Sequence, residues 1–164
     1  MSNIRIDYLA KHPHCLPVLR GWFEHEWPRH YGPGGAGNAE ADLAAYSRTD
    51  VLPTAVVAFC DDVLCGVAAL KPQSISSRPE LGPWAGAGLV PAPYRRRGIG
   101  GELLAAVEKL AASLGFPRVY CGTSTSVGLL ERRAWCLVER IDHDGAVVSI
   151  YEKVLQPSAP VRCS

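Results

Sequence analysis

Two apolar, strand-like runs, Trp84 to Val90 and Arg118 to Gly122, are separated by a glycine-rich loop and a segment with a helical stripe. In that segment Leu103, Leu104, Val107, Leu110, Ala111 and Leu114 recur at the spacing that keeps one helical face against a core. A strand, a crossover helix and a second strand in one sheet make a βαβ unit, whose strands run parallel. The other strand signals are hairpins. Thr54 to Cys60 and Leu64 to Leu70 flank a tight connection at Asp61-Asp62-Val63, and Asp144-Gly145 lies between Cys136 to Ile141 and Val147 to Val154. Ile4 to Leu9 alternates apolar and polar residues as a half-buried strand does. Leu16, Leu19, Trp22 and Phe23 share one helical face, which Pro28 stops at Trp27, and Ala39 to Ser47 reads as a second short helix. Tyr31 to Asn38 and Gln73 to Gly82 read as loops. The order β-α-α-β-β-β-α-β-α-β-β predicts a mixed α+β sheet, antiparallel on its first side and parallel where strands four and five meet.

At 164 residues the chain is most simply one domain, here residues 1–156, followed by a tail at 157–164. The net charge is +1, so the electrostatic footprint of a nucleic-acid binder is missing. No apolar run is long enough to span a membrane, and Met1-Ser2-Asn3-Ile4-Arg5 lacks the core of a signal peptide; a soluble cytoplasmic protein is expected. Of the six cysteines, Cys60, Cys65 and Cys121 fall inside apolar runs and read as reduced, small hydrophobes. The five histidines are not spaced as helical metal ligands, and no Cys-x-x-Cys pair occurs, so no metal site is expected.

The loop before the long helix is Arg95-Arg96-Arg97-Gly98-Ile99-Gly100-Gly101. At a helix start the first N–H groups lack intrahelical partners, and the macrodipole places roughly half a positive charge there. The glycines let a ligand approach the backbone closely, and the arginines suit one with several negative charges. Glycines before a helix also serve packing, and arginine runs are often solvated faces. A Rossmann fingerprint would need a glycine where Leu103 stands, and no Gly-Lys-Ser/Thr of a P-loop occurs.

Arg95, Gly98 and Gly100 match the Arg/Gln-x-x-Gly-x-Gly/Ala acyl-CoA loop of the GCN5-related N-acetyltransferases (GNAT), which this region resembles. Pro83-Trp84, Ala85 to Val90, Pro91 and Tyr94 resemble that family's fourth strand running into its cofactor loop. Leu129 to Trp135 resembles the short helix and turn that follow the fifth strand. The resemblance spans about Arg5 to Leu155. It implies a GNAT-like, mostly antiparallel seven-stranded sheet with parallel central strands four and five and about four flanking helices. It implies acetyl-CoA as co-substrate, its pyrophosphate on the backbone from Arg97 to Glu102 and its pantetheine arm along Gly88, Leu89 and Val90. The cofactor residues it designates are Gly88, Leu89, Val90, Arg95, Arg96, Arg97, Gly98, Ile99, Gly100, Gly101 and Glu102. The activity implied is transfer of an acetyl group to a primary amine by direct attack, which needs a base for the amine and an acid for the departing thiolate.

The family's tyrosine position falls on Leu130, which cannot donate a proton. Ser126 and Ser124 read either as helix caps or as replacement donors. Glu24, His25 and Glu26 close the first helix and border the acceptor side, with Glu80 and Tyr31 in flanking loops; Ser126, Glu24 and Glu80 are the catalytic candidates. Trp22, Phe23 and Trp84 read as core. An acyl-CoA-binding sensor that has lost catalysis, or a domain binding another polyanion, would use the same loop. An edge strand in the last hairpin could support a homodimer.

Overall fold

The computed structural model describes residues 3–143 and 145–155. Seven strands form one sheet: β1 Ile4–Tyr8, β2 Thr54–Cys60, β3 Val63–Lys71, β4 Trp84–Leu89, β5 Arg118–Thr123, β6 Cys136–His143 and β7 Ala146–Val154. Their spatial order is β1-β2-β3-β4-β5-β7-β6, and the β4–β5 pair is the parallel one. β6 is therefore the outer strand at the far edge. Five helices flank the sheet: α1 Leu16–Glu26, α2 Pro28–Tyr31, α3 Ala39–Tyr46, α4 Ile99–Ser113 and α5 Val127–Arg132.

The hairpins form where turn chemistry allows them. Asp61 and Asp62 take φ of 50° and 67°, the left-handed conformation that a tight turn between β2 and β3 needs. Gly145 takes φ of 81° between β6 and β7. Asp144 of the expected Asp144-Gly145 turn, and the expected tail at 157–164, lie outside the described residues.

All seven residues of β2 are buried because both sheet faces are covered. On one face Val56, Ala58, Ala68 and Leu70 pack against Leu103, Leu104, Val107, Leu110 and Ala111 of α4. On the other, Val57, Phe59, Val67 and Ala69 pack against Leu19 and Phe23 of α1 and Leu43 and Tyr46 of α3. Phe23 and Trp84 are fully buried, and Trp22 packs at the edge of the second cluster. The five cysteines among the described residues are free thiols. Among those residues no helix is long and apolar enough to cross a membrane.

Two segments depart from the sequence reading. The helical face ends at Trp27, as Pro28 requires, but Pro28 then opens the one-turn helix α2, because proline suits the first position of a new helix. The 72–83 loop is not merely a solvated connection. Ile75 and Leu81 cover Trp84, Tyr120 and Ile150, and Arg78 grips Glu139 of β6 through both nitrogen–oxygen pairs. The loop thus roofs the β5–β7 half of the face that α1 and α3 roof over β2–β4.

Candidate functional site

β4 and β5 begin together and then part. Their register has one pairing, Trp84 with Tyr120. Along β3 the partners step from Ala69–Gly86 to Val67–Leu89, so β4 inserts an extra residue. Ala87 takes φ of 49° at this bulge, which bends β4 and disrupts its ladder locally. The result is a cleft of about 520 Å³ that passes between the strands. Leu103, Leu104 and Val107 of α4 and Leu129 and Leu130 of α5 wall it on one side of the sheet; Gly86, Gly88 and Glu26 reach it from the strand edge and the end of α1. Cys121 lines it too, but burial pushes that thiol up to about 12, so it stays protonated and is no nucleophile.

The arginine loop closes one end. A 3-10 turn over Ala92–Tyr94 lifts the chain off β4, and Arg95 Nε donates to the Val90 carbonyl at 2.8 Å, tying the loop to the strand end. Arg96 and Gly98 take φ of 63° and 81°, turning the backbone into α4. The first intrahelical bond there is Glu102 N–H to the Gly98 carbonyl, and no side chain caps the helix. The N–H groups of Ile99, Gly100 and Gly101 are thus left for a ligand. Arg95, Arg96 and Arg97 are exposed and form no ion pair among the described residues.

The residues the sequence assigns to the cofactor fall into three groups. Gly88, Leu89, Val90, Arg95 and Gly100 line the cleft itself. Arg96, Arg97, Gly98 and Gly101 stand at its rim on the same loop and helix start. The Ile99 side chain is buried against β3, so only its backbone faces outward, and the Glu102 side chain borders a separate groove between α4 and β1.

The catalytic candidates separate more sharply. Ser126 lines the cleft at the start of α5, together with Thr125. The Thr123 hydroxyl accepts from the N–H groups of Thr125 and Ser126 at 3.1 and 2.8 Å, so Thr123 orders this turn and Ser126 makes no side-chain capping bond. Ser124 is exposed away from the lining. Glu24 bonds Arg20 at 3.4 Å and does not line the cleft, nor does Glu80 in the 72–83 loop; Glu26 does. Leu130 is 1% exposed and forms part of the apolar wall. The Tyr31 hydroxyl donates to Asp42 at 2.7 Å, and burial together with that carboxylate raises its pKa, which keeps it a donor and not a base.

Sequence reading missed Thr125 and Cys121 on the cleft, and also Asp42 of α3 and Lys71, the last residue of β3. A charge ending the apolar run of β3 was the available signal for Lys71. Among the described residues no group of three or more His, Cys, Asp or Glu is placed to hold a metal ion.

The sequence model of the Acetyltransferase (GNAT) family matches residues 18–135. No curated protein matches the chain in sequence. Among solved structures, the chain is similar to an aminoglycoside 6'-N-acetyltransferase complexed with coenzyme A, at 17% identity and a TM-score of 0.75 over 95% of this chain and 99% of that one. An aminoglycoside 6'-N-acetyltransferase from Enterococcus faecium matches at 18% identity and a TM-score of 0.74, over 95% and 99% of the two chains. An N-acetyltransferase from Staphylococcus aureus Mu50 matches at 16% and 0.75, over 94% and 100%. At such identities the likeness speaks for the fold.

Proposed function

The chain belongs to the Acetyltransferase (GNAT) family, and from that premise we propose that it moves an acetyl group from acetyl-CoA to a primary amine by direct attack. The observation that carries the reading is the continuity of the uncapped α4 N-terminus and its arginines with the cleft between β4 and β5. One end suits a pyrophosphate, the passage beyond it is largely apolar, and the bared edge of β4 can pair with an amide-bearing arm. A nucleotide with a long thin tail fits that sequence of surfaces; a compact phosphate would leave most of it unused.

Bound acetyl-CoA would supply an acetyl group activated as a thioester. The chain's own part is positional and electrostatic. Backbone N–H groups of Ile99 to Gly101 and the guanidinium groups of Arg95 to Arg97 hold negative charge at the rim. The backbone at Gly88, Leu89 and Val90 fixes the arm and directs an N–H toward the carbonyl that is to be attacked. Glu26, the carboxylate on the cleft, accepts the proton that the amine sheds. The hydroxyls of Ser126 and Thr125, also on the cleft, donate hydrogen bonds to the thiolate as it departs and so stabilise its charge, while its proton comes from water; Leu130 has no group to offer there. No metal enters this scheme.

Leu130 also favours a second reading, an acyl-CoA-binding sensor without turnover. Calorimetric titration of acetyl-CoA into the protein, followed by free-thiol release against a panel of amines and peptides, separates the two. Micromolar binding with thiol release is expected. Binding without release across the panel favours the sensor, and absence of binding defeats both.

A further inference from the structure

On the sheet face opposite α4, a lysine stands beneath the cleft. β3 ends at Lys71, in register with Trp84. Its side chain runs along β4 to Gly86, where a Cβ would meet Lys71 Cδ at 3.3 Å and Nζ at 3.7 Å. Gly86 itself lines the cleft, so the missing side chain leaves the ammonium beside the passage with only backbone between. Among the described residues Lys71 makes no hydrogen bond and no ion pair. The carboxylate whose charge it feels, Asp42, already accepts the Tyr31 hydroxyl. Tyr46, beside Asp42 and Tyr31, and Glu26, on the cleft, are further polar groups on this face.

A cation largely withdrawn from water, with donors to spare, is costly unless an anion meets it. Burial draws the Lys71 pKa down, while Asp42 opposes that shift and favours the charged form. α1 packs on this same face of the sheet, and Glu26 at its end reaches the cleft from there, the side from which an acceptor would approach.

We propose that the acceptor is an amine that also carries a carboxylate, as an amino acid does, and that the Lys71 ammonium receives this carboxylate beside Gly86. The inference rests on the acetyl-transfer reading above. A carboxylate there offsets the buried charge and fixes the amine's orientation toward Glu26. A polycation would bring like charge to the same point and is disfavoured.

The test uses thiol release from acetyl-CoA with the twenty amino acids, their amides and spermidine, on the wild-type protein, Lys71→Met and Lys71→Arg, with acetyl-CoA affinity measured in parallel by calorimetry. At least one amino acid should be acetylated with kcat/KM about tenfold or more above that of its amide. Lys71→Met should raise KM for that amino acid about tenfold, leave the amide's KM and the acetyl-CoA affinity unchanged, and be largely rescued by Lys71→Arg. A merely structural lysine would affect acid and amide alike, and that result overturns the proposal. So does a wild-type protein that binds acetyl-CoA yet prefers the amides or spermidine, or acetylates no amino acid. Failure to bind acetyl-CoA would instead strike the acetyl-transfer reading, and this inference with it. If Lys71→Met does not fold, the wild-type comparison of acid with amide still decides.

Discussion

At the residue scale, a carboxylate introduced at Gly100 separates binding from folding. An added Cβ there meets Leu129 at 3.4 Å, an ordinary contact, and a negative charge in the first turn of a helix is favourable for the fold. Gly100→Asp should therefore unfold at a temperature close to that of the parent, while the charge repels a pyrophosphate at the same N–H groups. Acetyl-CoA affinity should fall about tenfold or more, roughly 1.4 kcal/mol, by calorimetry; unchanged affinity would move the anion seat elsewhere. Leu130→Tyr probes the opposite end. The wall at Leu130 is packed, so a larger ring should cost about 1–3 kcal/mol of stability. If proton delivery to sulfur limits the rate, a hydroxyl there should raise kcat severalfold, and no gain would mean that Ser126 and Thr125 already suffice or that another step is slow. Arg95, Gly98 and Gly100 were legible in the sequence because the loop acts through contiguous backbone. Glu26 was legible only as one of three charged residues closing α1, and Lys71 and Asp42 were not legible at all: they come together only through the β3–β4 register and the packing of α1 and α3, which no local pattern encodes.

At the scale of elements, the bulge in β4 is the device that opens the cleft, and its strain is measurable. Ala87 at φ of 49° pays for a conformation glycine takes freely. Ala87→Gly should keep the bulge and stabilise the protein by up to about 1 kcal/mol, a rise of roughly 2–4 °C in Tm for a domain of this size. A fall in Tm would show that the Ala87 methyl, which packs against the α1–α3 side, outweighs the strain. The long helix and both hairpins were legible because period and turn chemistry are local. The one-turn helix α2 was not, since four residues carry no helical period, and a polar run such as Gln73 to Gly82 gives no sign that Ile75 and Arg78 within it will pin it across β5–β7. The bulge was invisible for a related reason: Ala-Gly-Ala-Gly reads as a weak strand, and only pairing with β3 shows where the extra residue falls.

At the scale of the whole molecule, the cleft is an unfilled joint between two halves of one sheet. β4 and β5 share a single pairing, while β3–β4 and β5–β7 are joined along several residues. α4 bridges the opening by packing on strands from both halves, and its N-terminus is where the ligand's charge is expected. A ligand that seats on that N-terminus and pairs with the bared edge of β4 therefore braces the joint as well as occupying it. Because the seat exists only in the folded chain, binding must stabilise folding by RT ln(1 + [L]/Kd), about 2.7 kcal/mol at one hundred times Kd. For a chain of this length that corresponds to a Tm increase of roughly 5–11 °C. The rise should grow with the logarithm of acetyl-CoA concentration, be reproduced by CoA, and be largely absent with ATP or inorganic phosphate, which lack an arm to enter the cleft. An equal rise with ATP would mean that the arginine loop alone makes the site and that the parting of β4 from β5 serves something else. Loss of the acetyl-CoA effect in Gly100→Asp, with Tm otherwise unchanged, would tie the stabilisation to the start of α4.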